Sequence, residues 1–162
     1  MRPPHILRDN NKPKSRRSFA EHGGSAPELV CKLLPKDWTM AAILIVDDDD
    51  AVRDVLYDLF SEEHLCHAAS SAEQALAFIR EQPYDVVITD ISMPGLSGVE
   101  LLGHLRQSQP GTPVIVITGI GDRAHAEGLM RLGAFDYILK PFRLEAIEAS
   151  VKRALEHGKR KR

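Results

Sequence analysis

From Ala41 onward, short apolar runs alternate with segments whose apolar residues recur at helical spacing, and that alternation leaves few folds open. Ile43-Leu44-Ile45-Val46 is a continuous apolar run, the pattern of a parallel strand buried on both faces. Val52, Val55, Leu56, Leu59 and Phe60 follow at i, i+3, i+4, i+7 and i+8, one face of an amphipathic helix. Leu65 to Ala69 reads as a weaker second strand. Ser71-Ala72-Glu73-Gln74 has the spacing of a capping box, opening a helix with Ala75, Leu76 and Ile79 on one face until Pro83 ends it. Asp85 to Asp90 is the third strand, and Ser97-Gly98-Val99-Glu100 is a second capping box for a helix reaching about Arg106. Pro113 to Thr118 is the fourth strand, with a β-branched centre from Val114 to Ile117. Asp122 is placed to cap a fourth helix with a thin apolar stripe of Leu129, Met130 and Leu132. Phe135 to Leu139 is the fifth strand. Leu144, Ile147, Val151 and Leu155 share one face of a last helix, with Gly158 as its expected C-cap.

Five strand–helix pairs with short connections imply an α/β fold, a doubly wound parallel sheet covered by helices on both faces. A chain of 162 residues suffices for one such domain with its own core. Its first forty residues differ in kind. They hold eight Lys/Arg against four Asp/Glu and five of the ten prolines, whereas residues 41–162 hold thirteen against nineteen. Such a segment buries too little apolar surface to offset the entropy of ordering. Residues 1–39 are therefore expected to form a disordered, basic, proline-rich extension, with Met40 as an alternative natural start. The domain proper is expected over 40–157, followed by a short basic tail at 158–162. No direct DNA binding is expected of either basic segment. No apolar run approaches the roughly 20 residues of a membrane span, and no signal-peptide core precedes the domain. Cys31 and Cys66 make neither a disulfide framework nor a metal-ligand spacing, so both are expected to be inert thiols in a cytoplasmic protein.

Open doubly wound sheets bind ligands at the carboxyl ends of their strands. Asp47, Asp48, Asp49 and Asp50 follow the first strand, Asp90 ends the third, Thr118 the fourth, and Lys140 follows the fifth. Two carboxylates about 4 Å apart repel by roughly 4 kcal/mol at an effective dielectric near 20. Acids converging on one rim therefore imply a cation or raised pKa values. Oxygen donors with no His or Cys among them point to Mg²⁺. Lys140 can neutralise a phosphate oxygen, and the Thr118 hydroxyl can donate to another. Asp90, between them, is then the nucleophile that forms an acyl phosphate. Asp49 and Asp50 are expected to be solvated, one of them capping the first helix.

Four segments in this order carry a resemblance: Ile45-Val46-Asp47-Asp48, Thr89-Asp90-Ile91-Ser92-Met93-Pro94-Gly95, Val116-Ile117-Thr118 and Tyr137-Ile138-Leu139-Lys140-Pro141-Phe142. Over roughly 120 residues from Ala41 to His157, the chain resembles the CheY-like response-regulator receiver domains of two-component signalling. The resemblance implies a flavodoxin-like (βα)5 sheet with strand order 2-1-3-4-5. It makes Asp90 the phospho-acceptor, Asp48 the direct acidic Mg²⁺ ligand, Asp47 the second acid of the pocket, and the Ser92 backbone carbonyl a third protein ligand. Thr118 becomes the switch hydroxyl and Tyr137 the switch aromatic. Lys140 becomes the lysine that pairs with the phosphoryl group, with Lys140-Pro141 joined by a cis peptide bond. No catalytic position departs from the family pattern. The implied partners are a sensor histidine kinase or histidine phosphotransfer protein and a downstream protein target, with phosphorylation-dependent homodimerisation as a further outcome. The responding surface is the face of the fourth helix, fifth strand and fifth helix, and the domain catalyses only its own phosphorylation and dephosphorylation.

Two other classes compete. A haloacid-dehalogenase-like phosphatase also uses an aspartyl phosphate and Mg²⁺, and Asp47-Asp48-Asp49 supplies an Asp-x-Asp. That family, however, places its nucleophile after the first strand and needs a later acidic pair, which is missing beyond Thr118. The other class is a non-phosphorylated interaction module with an idle pocket. Tyr137 has a plainer reading too, as a static packing residue.

Overall fold

The computed structural model describes residues 40–119 and 123–161, over which five strands and five helices alternate. They are β1 (Ala42–Val46), α1 (Asp50–Ser61), β2 (Leu65–Ala69), α2 (Ala72–Glu81), β3 (Val86–Asp90), α3 (Gly98–Ser108), β4 (Val114–Thr118), α4 (Arg123–Arg131), β5 (Asp136–Leu139) and α5 (Leu144–Lys161). All strand pairs are parallel and the sheet order is β2-β1-β3-β4-β5, the doubly wound arrangement expected from the alternation. The N-terminal extension and the Asp122 cap lie outside the described residues.

Strand periodicity divides the core into two layers. Leu44, Val46, Val87, Val114 and Val116 meet Leu101, Leu102 and Leu105 of α3 and Ala75 and Ile79 of α2 on one side of the sheet. The alternate residues Ile43, Ile45, Ile88, Ile115 and Ile117 meet Leu56 and Phe60 of α1 and Ile147, Val151 and Ala154 of α5 on the other. β3 and β4 are buried along their whole length, which is why their sequences are apolar runs up to Thr89-Asp90 in β3 and Thr118 in β4.

Local chemistry fixes the helix starts. Asp49 caps α1, accepting from the N–H groups of Ala51 at 2.9 Å and Val52 at 3.4 Å. Ser97 and Glu100 form a full capping box on α3: Ser97 Oγ accepts from Glu100 N at 3.2 Å, and Glu100 Oε2 accepts from Ser97 N at 2.9 Å. The box expected on α2 is only half made. Ser71 accepts from Gln74 N, but the Gln74 side chain reaches one residue further back, to the Ser70 N–H at 2.8 Å.

Three sequence expectations are corrected. Val55 is 46% exposed, because α1 points Leu56 and Phe60 at the sheet and Val55 falls to one side. Ala126 and Leu129 are the inward residues of α4, leaving Met130 and Leu132 on the surface. Gly158 does not end α5, which continues to Lys161. A C-capping glycine needs a left-handed backbone, and among the described residues only Gly95 and Gly133 have positive φ.

Candidate functional site

The strand register gathers the polar residues at one rim. Val46 lies opposite Thr89, so the next residues, Asp47 and Asp90, come side by side. Asp90 is opposite Ile117 and Thr118 opposite Leu139, so Thr118 and Lys140 arrive on the same edge. Asp47, Asp90 and Thr118 are among the few buried polar residues, each less than 5% exposed. Buried carboxylates require compensation, and Lys140 supplies it. Its Nζ donates to Asp47 Oδ2 at 2.9 Å and pairs with Asp90 Oδ1 at 3.0 Å, spanning β1, β3 and β5. The other Asp47 oxygen accepts from Asp49 N at 2.9 Å. Arg53 of α1 donates to the Asp47 carbonyl at 2.7 Å and pairs with Asp50, tying the acidic turn to its helix.

These contacts do not fully compensate the burial of Asp90. Burial pushes its pKa up, opposed by the Lys140 ammonium and the Ser92 N–H and reinforced by the Asp47 charge; the net direction is upward. For Lys140, burial alone pulls the ammonium down, but its hydrogen bonds to Asp47 and Asp90 and their attraction together outweigh burial. Its pKa ends above the ordinary lysine value.

Asp48 is exposed at the mouth of the cluster. One carboxylate oxygen from each of Asp47, Asp48 and Asp90 lies within 4.8 Å of the others. Three acidic groups face one ammonium here, so the cluster carries excess negative charge. Its donors are hard oxygens, two buried and one at the solvent edge, which suits a small divalent ion that keeps part of its water shell. The residues present thus fit Mg²⁺.

The remaining expected residues are placed as follows. Ser92 stands in the exposed turn after β3, where its N–H favours the charged form of Asp90. Thr118 is buried at the end of β4, and its carbonyl accepts from Lys140 N at 2.8 Å. The Lys140-Pro141 peptide bond is cis. Tyr137 is not part of the cluster. It lies on β5 with its side chain 38% exposed. Outside the cluster, His67 is half-buried with Nδ1 2.8 Å from Tyr84 Oη, and the exposed His157 ring packs on Phe135.

One residue at the site escaped the sequence reading. Gly98, the first residue of α3, packs directly on the Asp90 peptide, and its N–H donates to the Ile91 carbonyl at 3.0 Å. Its only signal in the sequence is a glycine next to an N-cap, which many helices tolerate without any close contact.

The family model of the response regulator receiver domain matches residues 43–152. The chain is similar to the response regulator protein FleR of Pseudomonas aeruginosa, with 41% identity over 108 residues, 66% of this chain and 23% of FleR. It is similar to the regulatory protein AtoC of Escherichia coli, with 39% identity over 115 residues, 70% of this chain and 25% of AtoC. It thus spans about a quarter of the length of these curated relatives. A crystal structure of a response regulator receiver domain protein from Clostridium thermocellum aligns with a TM-score of 0.71 and 32% identity, covering 76% of this chain and all of that one. The phosphatase reading would make the residue after β1 its nucleophile; here that residue, Asp47, is locked between Lys140 and the Asp49 N–H, and the family match is to receiver domains. With the sheet order, the strand-end acids and these relatives in agreement, the chain belongs to the response regulator receiver domain family of two-component systems.

Proposed function

We propose that Asp90 accepts a phosphoryl group from the phosphohistidine of a sensor histidine kinase or histidine phosphotransfer protein in the cytoplasm. The modified domain then signals through the face of α4, β5 and α5. The observation that carries this reading is the Lys140 ammonium, 2.9 Å from Asp47 and 3.0 Å from Asp90 at the carboxyl rim of the sheet. Asp48, Asp90 and the Ser92 carbonyl, with Asp47 beside them, would hold Mg²⁺, whose charge would offset the negative charge gathered during transfer. An Asp90 carboxylate oxygen attacks phosphorus. The new O–P bond forms as the P–N bond breaks, and the imidazole leaves with the electron pair and a proton restored from solvent. Lys140 moves from bridging two carboxylates to neutralising a phosphoryl oxygen, and the Thr118 hydroxyl donates to another.

The movement of Thr118 leaves space for Tyr137 to turn inward from its exposed position, biasing a pre-existing two-state equilibrium. Met130, Leu132, Tyr137 and Leu139 are all exposed on this region. They offer apolar contact to a downstream protein or to a second copy in a phosphorylation-dependent homodimer. This domain itself makes no DNA contact in the proposal. Acetyl phosphate with Mg²⁺ should label the wild-type chain and leave Asp90→Asn unlabelled; labelling of the variant at the full rate refutes the acceptor assignment. An idle interaction module predicts a different result, no response to Mg²⁺ titration.

A further inference from the structure

Between Asp90 and α3 the chain makes a loop, residues 91–97, that carries Ser92 and is fastened at both ends. At its base the Ile91 carbonyl accepts from Gly98 N at 3.0 Å and Met93 N at 3.2 Å. Beside the base, Ser92 is two residues from Asp90, and its N–H is among the groups that favour the Asp90 carboxylate. At its tip Gly95 takes the left-handed conformation, φ +78°, and turns the next N–H, that of Leu96, toward α2. Glu73 in the first turn of α2 receives it, with Leu96 N 2.9 Å from Glu73 Oε1 across 23 residues of sequence. The fit is close. A β-carbon at Gly95 would stand 2.6 Å from that same oxygen.

Glu73 suits the positive end of α2 as an acid in its first turn, but that end has other partners as well. α2 has its N-cap in Ser71 and a further tie from Gln74 to Ser70, and the Glu73 side chain faces away from the core. What Glu73 does hold is the loop. The Leu96 N–H is the first cause that keeps its carboxyl below the usual glutamate range, followed by its own backbone N–H and, against some burial, the Ser71 hydroxyl. It is therefore an anion at neutral pH, and a charge-assisted hydrogen bond is stronger than a neutral one.

We infer that Glu73 is a positioning residue for the metal and phosphoryl site, because by tying Leu96 to α2 it fixes the loop that presents Ser92 beside Asp90. The inference rests on the function proposed above. Ligand carbonyls bind a hard cation well only when they are already aimed, and residues behind the ligands commonly set that aim. Without the tie, the glycine at the tip leaves the loop free to sample conformations in which Ser92 is turned away.

The test is Mg²⁺ titration of the full chain followed by amide NMR shifts, with hydrogen exchange of the Leu96 amide measured in metal-free buffer. Glu73→Ala should bind Mg²⁺ about tenfold more weakly than wild type and exchange the Leu96 amide faster. Glu73→Gln, whose amide oxygen accepts the same bond, should recover most of the affinity. Gln74→Ala, which removes a tie at the same helix end without touching the loop, should bind like wild type. Equal affinity in Glu73→Ala and wild type overturns the inference and leaves the proposed function standing. An equal loss in Gln74→Ala also overturns it, since helix stability would then account for the effect. A wild-type chain indifferent to Mg²⁺ overturns both.

Discussion

A β-carbon on Gly98 would stand 1.9 Å from the carbonyl oxygen of Asp90, so the first turn of α3 rests on the backbone of the proposed phospho-acceptor. No side chain fits there unless β3 and α3 separate, and such overpacking costs about 1–3 kcal/mol or more. Gly98→Ala is expected at the upper end, about 3 kcal/mol by urea denaturation, with acetyl phosphate labelling slowed in whatever fraction folds. Wild-type stability and labelling would mean that the contact yields freely.

Removing the ammonium from the rim leaves two buried carboxylates facing each other. Lys140→Met should therefore lose about 3 kcal/mol in metal-free buffer, the usual effect of breaking a buried pair from one side. Saturating Mg²⁺ should shrink that loss, because an ion that binds only the folded chain stabilises it by mass action. The comparison needs two urea curves per protein, and an identical deficit with and without Mg²⁺ would count against a shared cation site.

The raised pKa of Asp90 has a definite sign. Its folded carboxyl holds a proton more tightly than the unfolded one, so this group adds stability when protonated. That contribution is lost as pH rises from the usual carboxylate range through the raised value. Asp90→Asn removes the titration. Without metal, the variant should melt at least as high as wild type near neutrality, and the difference should close as the solution is acidified. Lys140 has the same sign in a higher window: its contribution persists through neutrality and is lost as pH rises from the ordinary lysine range through the raised value. Calorimetry across the acid-to-neutral range decides the matter, and a variant that melts well below wild type at neutral pH contradicts this sign.

Burial pushes the Cys66 thiol up to about 12. Only the thiolate reacts readily, so Cys66 in β2 should resist iodoacetamide in the native chain and label at the rate of unfolding. Peptide mapping by mass spectrometry separates it from Cys31. Rapid native labelling of Cys66 would show that the edge strand opens locally.

Much of this molecule could be read from residue order because its three central strands are buried on both faces, so each announces itself as an apolar run with a polar residue at or just past its end. Asp47, Asp90, Thr118 and Lys140 are legible from residue order alone. The helices were less legible. Val55, Met130 and Leu132 have the right spacing for a buried stripe, yet each helix turns only a narrow arc toward the sheet, and that arc depends on docking angle. Gly158 looked like a terminator because glycine is permissive, but permissiveness does not require a left-handed turn. Gly98 and Glu73 were out of reach for another reason. Their meaning lies in contacts with Asp90 and Leu96, which neighbouring residues in the sequence do not encode.

The bridge from Lys140 to Asp47 joins residues 93 apart in the chain. A nascent chain ending before β5 would hold Asp47, Asp48 and Asp90 and lack Lys140, the ammonium that pairs with two of them. The proposed phospho-acceptor pocket is therefore complete only once β5, the last strand of the sheet, has brought Lys140 to the rim.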